Sequence, residues 1–187
     1  MDVTALRKWL AEPRTALVAA VADGVRSHVA ALRLRGVEFY GYALLPGEPY
    51  DVRSLVAATN GEADIKVPPD DDQYRYYRYS VDEWQHYHHD GFAAANKLLA
   101  EANERFRSMH SKADDDCTMD EFEVAHADAL LDAVMRGLGS AKDAGAFGGI
   151  DPFLAVWISD SGHPIMVESV HRLNSEVVSE QFVAEFG

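Results

Sequence analysis

Apolar positions recur at helical spacing over most of this chain and change to strand-like runs only in short stretches. Leu6, Trp9 and Leu10 share one side of a short helix predicted over residues 2–11. Pro13 suits a first helical turn, and Leu17, Val21, Val25, Val29 and Leu32 keep helical spacing as far as Gly36. VEFYGYALL (37–45) is aromatic and β-branched, with Val37, Phe39, Gly41, Ala43 and Leu45 on one face of a predicted strand. Pro46, Gly47 and Pro49 enforce a turn, and residues 53–59 are expected to pair back as a hairpin that Asn60–Gly61 ends. Residues 62–72, with PPDDD, read as an exposed loop, and 74–79 as a third strand.

Two helices come next. Phe92, Ala95, Leu99, Ala102, Phe106 and Met109 form the apolar stripe of the first. Thr118 and Glu121 have capping-box spacing at the start of the second, whose stripe runs from Phe122 through Leu130 and Val134 to Leu138. FLAVWIS (153–159) is an apolar strand; DSGH, with Gly162 at positive φ, is expected to turn it into a partner strand over 164–170. Residues 175–186 close the chain as a helix stacking Val178, Phe182 and Phe186. Short connections favour antiparallel neighbours. The expected fold is a single α+β domain: a helical segment over 1–35, then an antiparallel sheet of about five strands with helices packed on it over 37–187.

At 187 residues and 48% hydrophobic content, one core burying about 70% of the unfolded surface is expected. No run of about 18 apolar residues suggests a membrane span. The N-terminus lacks the layout of a signal peptide, and the lone Cys117 excludes an internal disulfide; both point to the cytoplasm. Charge is unevenly spread. Residues 1–112 carry 14 Lys/Arg against 16 Asp/Glu, whereas 113–187 carry 3 against 15 and supply −12 of the −14. Within the latter, 113–132 holds eight acids and no Lys or Arg. That field repels phosphate backbones and anionic lipid, so neither nucleic acid nor membrane is an expected partner, and it attracts basic proteins. A solvated, solubilising face accounts for the same charge without a partner.

RYYRYSVDEWQHYHHD (75–90) is the densest stretch. Ser80 and Glu83 have capping-box spacing, which reads as the join between a strand and a helix. Strand alternation would turn one set of tyrosines inward and leave the other, with Trp84, for solvent or a partner. His86 and His89 could share a helical face, but His88 points about a third of a turn away and no HEXXH spacing is present, so no metal and no cofactor is expected. Three aspartates beside Cys117 raise a thiol pKa, which argues against a Cys117–His126 nucleophilic pair; His126 reads as a core or rim residue. SDSGHP shares letters with the nucleophile segment of trypsin-like proteases but lacks the base, the acid and the two-barrel scaffold. AGAFGGID lacks the lysine of a phosphate loop and reads as a flexible connector. No catalytic residue emerges.

VEFYGYALL, AATN, YYRYSVDEW, AGAFG, WISDS and HRLNSEVVSEQFVAEF together resemble a bacterial family of small proteins known only as a domain of unknown function, over roughly residues 17–186. Members of that family sit in polymorphic-toxin neighbourhoods, so the resemblance implies immunity proteins by analogy; it supplies no catalytic residues. The leading expectation is a non-enzymatic cytoplasmic immunity protein that binds and occludes a cognate protein toxin, basic and nuclease-like. Its expected partner-binding residues are Asp114, Asp115, Asp116, Asp120, Glu121, Glu123, Tyr77, Tyr79 and Trp84. The competing expectations are a metal-assisted hydrolase built on His86, His88 and His89, and an interaction module without a toxin.

Overall fold

A computed structural model of the chain describes residues 2–48, 51–110 and 120–187. Helices α1 (Val3–Leu10) and α2 (Thr15–Leu34) precede a hairpin of β1 (Gly41–Glu48) and β2 (Asp51–Asn60). Next come α3 (Tyr74–Tyr79), a short 3₁₀ turn (Val81–Glu83), β3 (His86–His88), α4 (Ala93–Met109) and α5 (Glu121–Asp143). The chain closes with β4 (Phe153–Val156), α6 (Ile165–Leu173) and α7 (Glu176–Phe186). The class is α+β, built on a single four-stranded sheet in the order β3-β2-β1-β4.

That sheet is mixed. β1 pairs antiparallel with β2, and β2 with β3, but β4 lies parallel to β1 with Tyr42 opposite Leu154 and Leu44 opposite Val156. The expected five-stranded antiparallel sheet is corrected at two places. Residues 74–79 are helical: six residues are too few for periodicity to decide, and Arg78 Nη1 bonds Tyr74 Oη at 3.0 Å across one turn, an i,i+4 contact that a strand cannot make. Residues 164–170 also form a helix. Pro164 stands immediately before the first turn of α6, where its missing N–H costs nothing. In the turn before it the positive φ belongs to Asp160 (52°), not to Gly162.

Because three helices, α3, α4 and α5, separate β2 from β4, the chain has length enough for a parallel crossover. Both faces of β4 are therefore covered, which is why FLAV carries no polar position. On one face Tyr42, Leu44, Leu55, Ala57, Leu154 and Val156 pack against α2, α4 and α5. On the other, Ala43, Ala58, Phe153, Ala155 and Trp157 pack against Tyr79, Val81, Trp84, Val170 and Phe182. Two glycines set the closest approaches. A Cβ on Gly137 would fall 2.5 Å from Val21 Cβ, so α5 meets α2 nearly backbone to side chain; one on Gly41 would fall 2.6 Å from the Trp84 ring. The predicted flexible connector is instead anchored: Phe147 is buried edge-on against Phe39 and Tyr42.

A stretch within Val3–Leu34 is apolar and long enough to cross a membrane by composition alone, with mean hydropathy 1.2. Its residues Val21, Val25, Val29 and Leu32 are fully buried in this fold, as a core helix requires.

Side chains close the β4 edge of the sheet and the part of β2 that β3 leaves unpaired. Asn174 Oδ1 accepts from Leu154 N–H (2.8 Å) while Asn174 Nδ2 donates to Leu154 C=O (2.7 Å), imitating a neighbouring strand. Ser169 Oγ accepts from Val156 N–H at 2.9 Å. On the other flank, where β3 does not reach, Asn96 Oδ1 accepts from Leu55 N–H and Asn103 Nδ2 donates to Val52 C=O. Asn174→Ala would leave the Leu154 N–H and C=O unpartnered in the interior, at a cost of about 2–4 kcal/mol. We predict a lower urea midpoint with an unchanged m-value. A wild-type midpoint would mean that other groups serve this edge.

Candidate functional site

The acidic residues expected to face a partner divide into three groups. Asp114, Asp115 and Asp116 lie outside the described residues, as do Thr118 and Cys117. Asp120 and Glu123 are engaged in holding the start of α5. Asp120 Oδ1 accepts from the N–H groups of Phe122 (2.9 Å) and Glu123 (3.0 Å), and Glu123 Oε2 accepts from Asp120 N–H (2.9 Å). The capping box is therefore Asp120–Glu123, two residues beyond the expected Thr118–Glu121. Asp120 Oδ2 also meets His110 Nε2 at 2.7 Å. Burial raises the Asp120 carboxyl, but the backbone donors and His110 outweigh it and hold the pKa below the usual carboxylate range. Glu121 is exposed, with an ion pair to Arg7 at 3.2 Å.

The aromatic stretch turns mostly inward. Tyr79 is buried against Phe153 and Phe182 with its hydroxyl on Gln181 (2.7 Å), and Trp84 is buried with its indole N–H on Arg78 C=O (3.2 Å). Neither offers surface to a partner, because both fill the space beside small residues of the sheet (Gly41, Ala43, Ala58). Tyr40 donates to the same Arg78 carbonyl at 2.8 Å, and the Arg78 guanidinium lies 4.3 Å from the Tyr40 ring centroid. YYRYSVDEW is thus a clasp over one sheet face. Ser80 makes no side-chain cap, and Glu83 pairs with Lys66 instead. Tyr77 is half-buried, with Lys66 over its ring; the exposed tyrosines are Tyr76 and Tyr87.

The histidines lie on a strand, not a helix. His86 opposes Thr59 and His88 opposes Ala57 in the β2–β3 ladder, so both look toward α2. His86 Nε2 meets Asp64 at 3.2 Å and His88 Nε2 meets Thr59 Oγ1 at 3.0 Å. His89, next along, lies with Tyr87 in a cleft on the opposite side. The three do not converge. Among the described residues no group of three or more His, Cys, Asp or Glu side chains is placed to hold a metal ion.

Three other histidines, His28, His110 and His126, are buried. His28 Nδ1 meets Tyr42 Oη at 2.9 Å, its ring lies 4.7 Å from that of His88, and its Nε2 has no partner among the described residues. His126 Nε2 meets Asn103 Oδ1 at 2.9 Å, and Phe106 is stacked between His126 and His110 at centroid distances of 4.3 and 4.9 Å. His126 is thus the core residue its place on the stripe suggested. It borders a cleft of about 470 Å³ whose charged lining is balanced: Asp51 and Glu123 against Arg53 and Arg107.

Across the β1–β2 hairpin from that cleft is a less balanced place. One cleft of about 450 Å³ is lined by Leu45, Val56, Tyr87 and Trp157, with Glu48, His89 and two serines at its margins. A second, of about 220 Å³, reaches from Trp157 to Tyr76, Phe182 and Phe186, bordered by Asp82 and Asp160. No Lys or Arg lines either. Sequence reading passed over this place because Trp157 reads as core, which it is at 5% exposure, and Asp160 reads as an ordinary turn residue.

A four-stranded mixed α+β fold carrying an acid-bordered aromatic cleft is the class of protein these observations define. Residues 17–175 match the family described as Domain of unknown function (DUF4303), and the chain belongs to that family. No curated protein and no solved structure matches the chain.

Burial depresses both His28 and His126 from the ordinary 6.5 to about 4, with His88 and Arg35 adding to the effect at His28 and Arg14 at His126. Below pH 6.5 the unfolded chain binds protons that the folded chain refuses. The stability these neutral rings provide is therefore complete above pH 6.5 and is lost as pH falls toward 4. We predict a loss on the order of 2 kcal/mol per histidine between pH 7 and pH 5, measured by urea unfolding. His28→Gln should flatten the slope, and a profile unaltered by that substitution would contradict the assignment.

Proposed function

We propose that this protein is a non-enzymatic binding protein of the immunity type, which neutralises a basic, nuclease-like bacterial toxin by covering its active surface. The observation that carries the reading is how charge is distributed over α5, α6 and α7. The three bases of residues 113–187 are each already committed to an acid: Arg136 to Asp132 (2.8 Å), Lys142 to Asp151 (3.3 Å) and Arg172 to Glu168 (2.9 Å). Asp143, Asp160, Glu176, Glu180 and Glu185 are exposed and have no ion pair among the described residues. A surface of this kind speeds encounter with a positively charged partner and disfavours phosphate. A toxin that grips nucleic acid is basic for its own reasons, so the two surfaces are complementary.

The metal-assisted hydrolase has less in its favour, because His86 and His88 face away from His89 across the β3 edge. The interaction module without a toxin uses the same surface and differs only in partner.

The test takes the products of the genes flanking this one, assays each for toxicity on expression, and measures binding and growth protection by this protein. The wild-type protein is expected to form a salt-sensitive complex and to restore growth. Glu121→Gln combined with Asp115→Asn and Asp116→Asn should slow association about tenfold at low salt and flatten its salt dependence. Asp120 and Glu123 are left intact in this variant because they cap α5. Failure to bind or protect would overturn the proposal. An unaltered association rate at every salt concentration would reduce the acids at the α5 start to a solubilising role.

A further inference from the structure

We propose that the two clefts meeting at Trp157 form one docking groove, and that its occupant is an extended, arginine-bearing segment of the protein partner. The inference rests on the protein-binding reading above but assigns the anchoring contact to a different surface from the α5 start.

Three independent observations converge. The first is aromatic lining. The Trp157 ring stands edge-on to Phe182 and Phe186 at 6.4 and 5.9 Å, Phe186 stacks on Tyr76 at 5.9 Å, and Tyr87 closes the other side. Tyr76 and Tyr87 are 37% and 41% exposed, so aromatic surface is left open rather than folded away. The second is charge. Asp82 and Asp160 border one cleft and Glu48 the other, none has an ion-pair partner among the described residues, and no Lys or Arg lines the groove. Asp82 accepts a hydrogen bond from Ser159 Oγ at 2.5 Å, which ties the 3₁₀ turn to the end of β4 where the clefts meet. The third is an unsatisfied donor. Trp157 Nε1 is buried and has no hydrogen-bond partner among the described residues.

Guanidinium suits this lining better than any other common group. Its planar cation stacks on aromatic faces and pairs with carboxylates, and it gives up hydration more readily than an ammonium. An acidic peptide would meet three uncompensated carboxylates and be repelled.

The probe is the synthetic peptide Ac-(Gly-Arg)₅-NH₂, with Ac-(Gly-Glu)₅-NH₂ as its counterpart. The readout is the set of indole N–H signals in ¹⁵N–¹H spectra of the full chain, which has three tryptophans; Trp157→Phe identifies the relevant one. The arginine peptide should move the Trp157 signal saturably and leave Trp9 and Trp84 in place, and the glutamate peptide should move none. The Asp82→Asn/Asp160→Asn variant should bind the arginine peptide about fivefold more weakly. Both changes preserve folding, since Asn keeps the acceptor for Ser159 and tolerates the φ of 52° at position 160. A stationary Trp157 signal, or equal affinity in the double variant, would overturn the groove. These outcomes are separate from those of the toxin experiment: protection with a silent groove leaves the immunity reading standing, and a responsive groove without protection removes the immunity reading alone.

Discussion

An open β-edge offers unpaired N–H and C=O groups to any passing strand, and this fold depends on closing its edges with side-chain amides. The decisive closure is Asn174 on Leu154. Its two hydrogen bonds lock β4, only four residues long, against the chain that follows. Asn174 is also the C-cap of α6, donating to Val170 C=O at 2.9 Å, and it immediately precedes Ser175, the N-cap of α7. One side chain thus finishes the sheet, ends one helix and places the next. From that placement Phe182 comes to rest on Phe153, Phe186 on Tyr76, and the wall of the Trp157 groove is set.

The same logic explains what could be read from residues alone. The helices with long apolar stripes were legible at 3.6 spacing, and so was the first hairpin, where β1 and β2 pair from Gly41–Asn60 to Glu48–Asp51. What was not legible depended on contacts distant in sequence. RYYRY alternates as well as it spirals, and α3 becomes a helix because Tyr76 and Tyr79, three apart, both meet α7. Residues 164–170 look like the second arm of a hairpin until Ser169 is seen bonding Val156, a side-chain substitute for strand pairing. The all-apolar FLAV was the available signal for a parallel strand covered on both faces.

The candidate site divides along the same line. Charge asymmetry is a property of composition and could be seen at once. Burial is not: Tyr79 and Trp84 are the most conspicuous aromatics of their stretch, yet they serve as core because small residues of the sheet leave room for them. Trp157 sits in an unbroken apolar run, and nothing in that run announces that both of its sides border clefts. In the proposed account, acids around α5 to α7 steer a basic partner, and the aromatic groove seats it. The β1–β2 hairpin end lies between the two, with Asp51 and Arg53 on the α5 side and Glu48 and Ser54 on the groove side.

Amide hydrogen exchange on the proposed complex with a basic toxin domain tests the central claim most directly. The account predicts that slowing on complex formation is concentrated in residues 157–162 and 82–89, two of the segments that border the groove, with smaller changes at the start of α5. Slowing confined to the exposed sides of α2 and α4, with the groove segments exchanging as in the free protein, would contradict it.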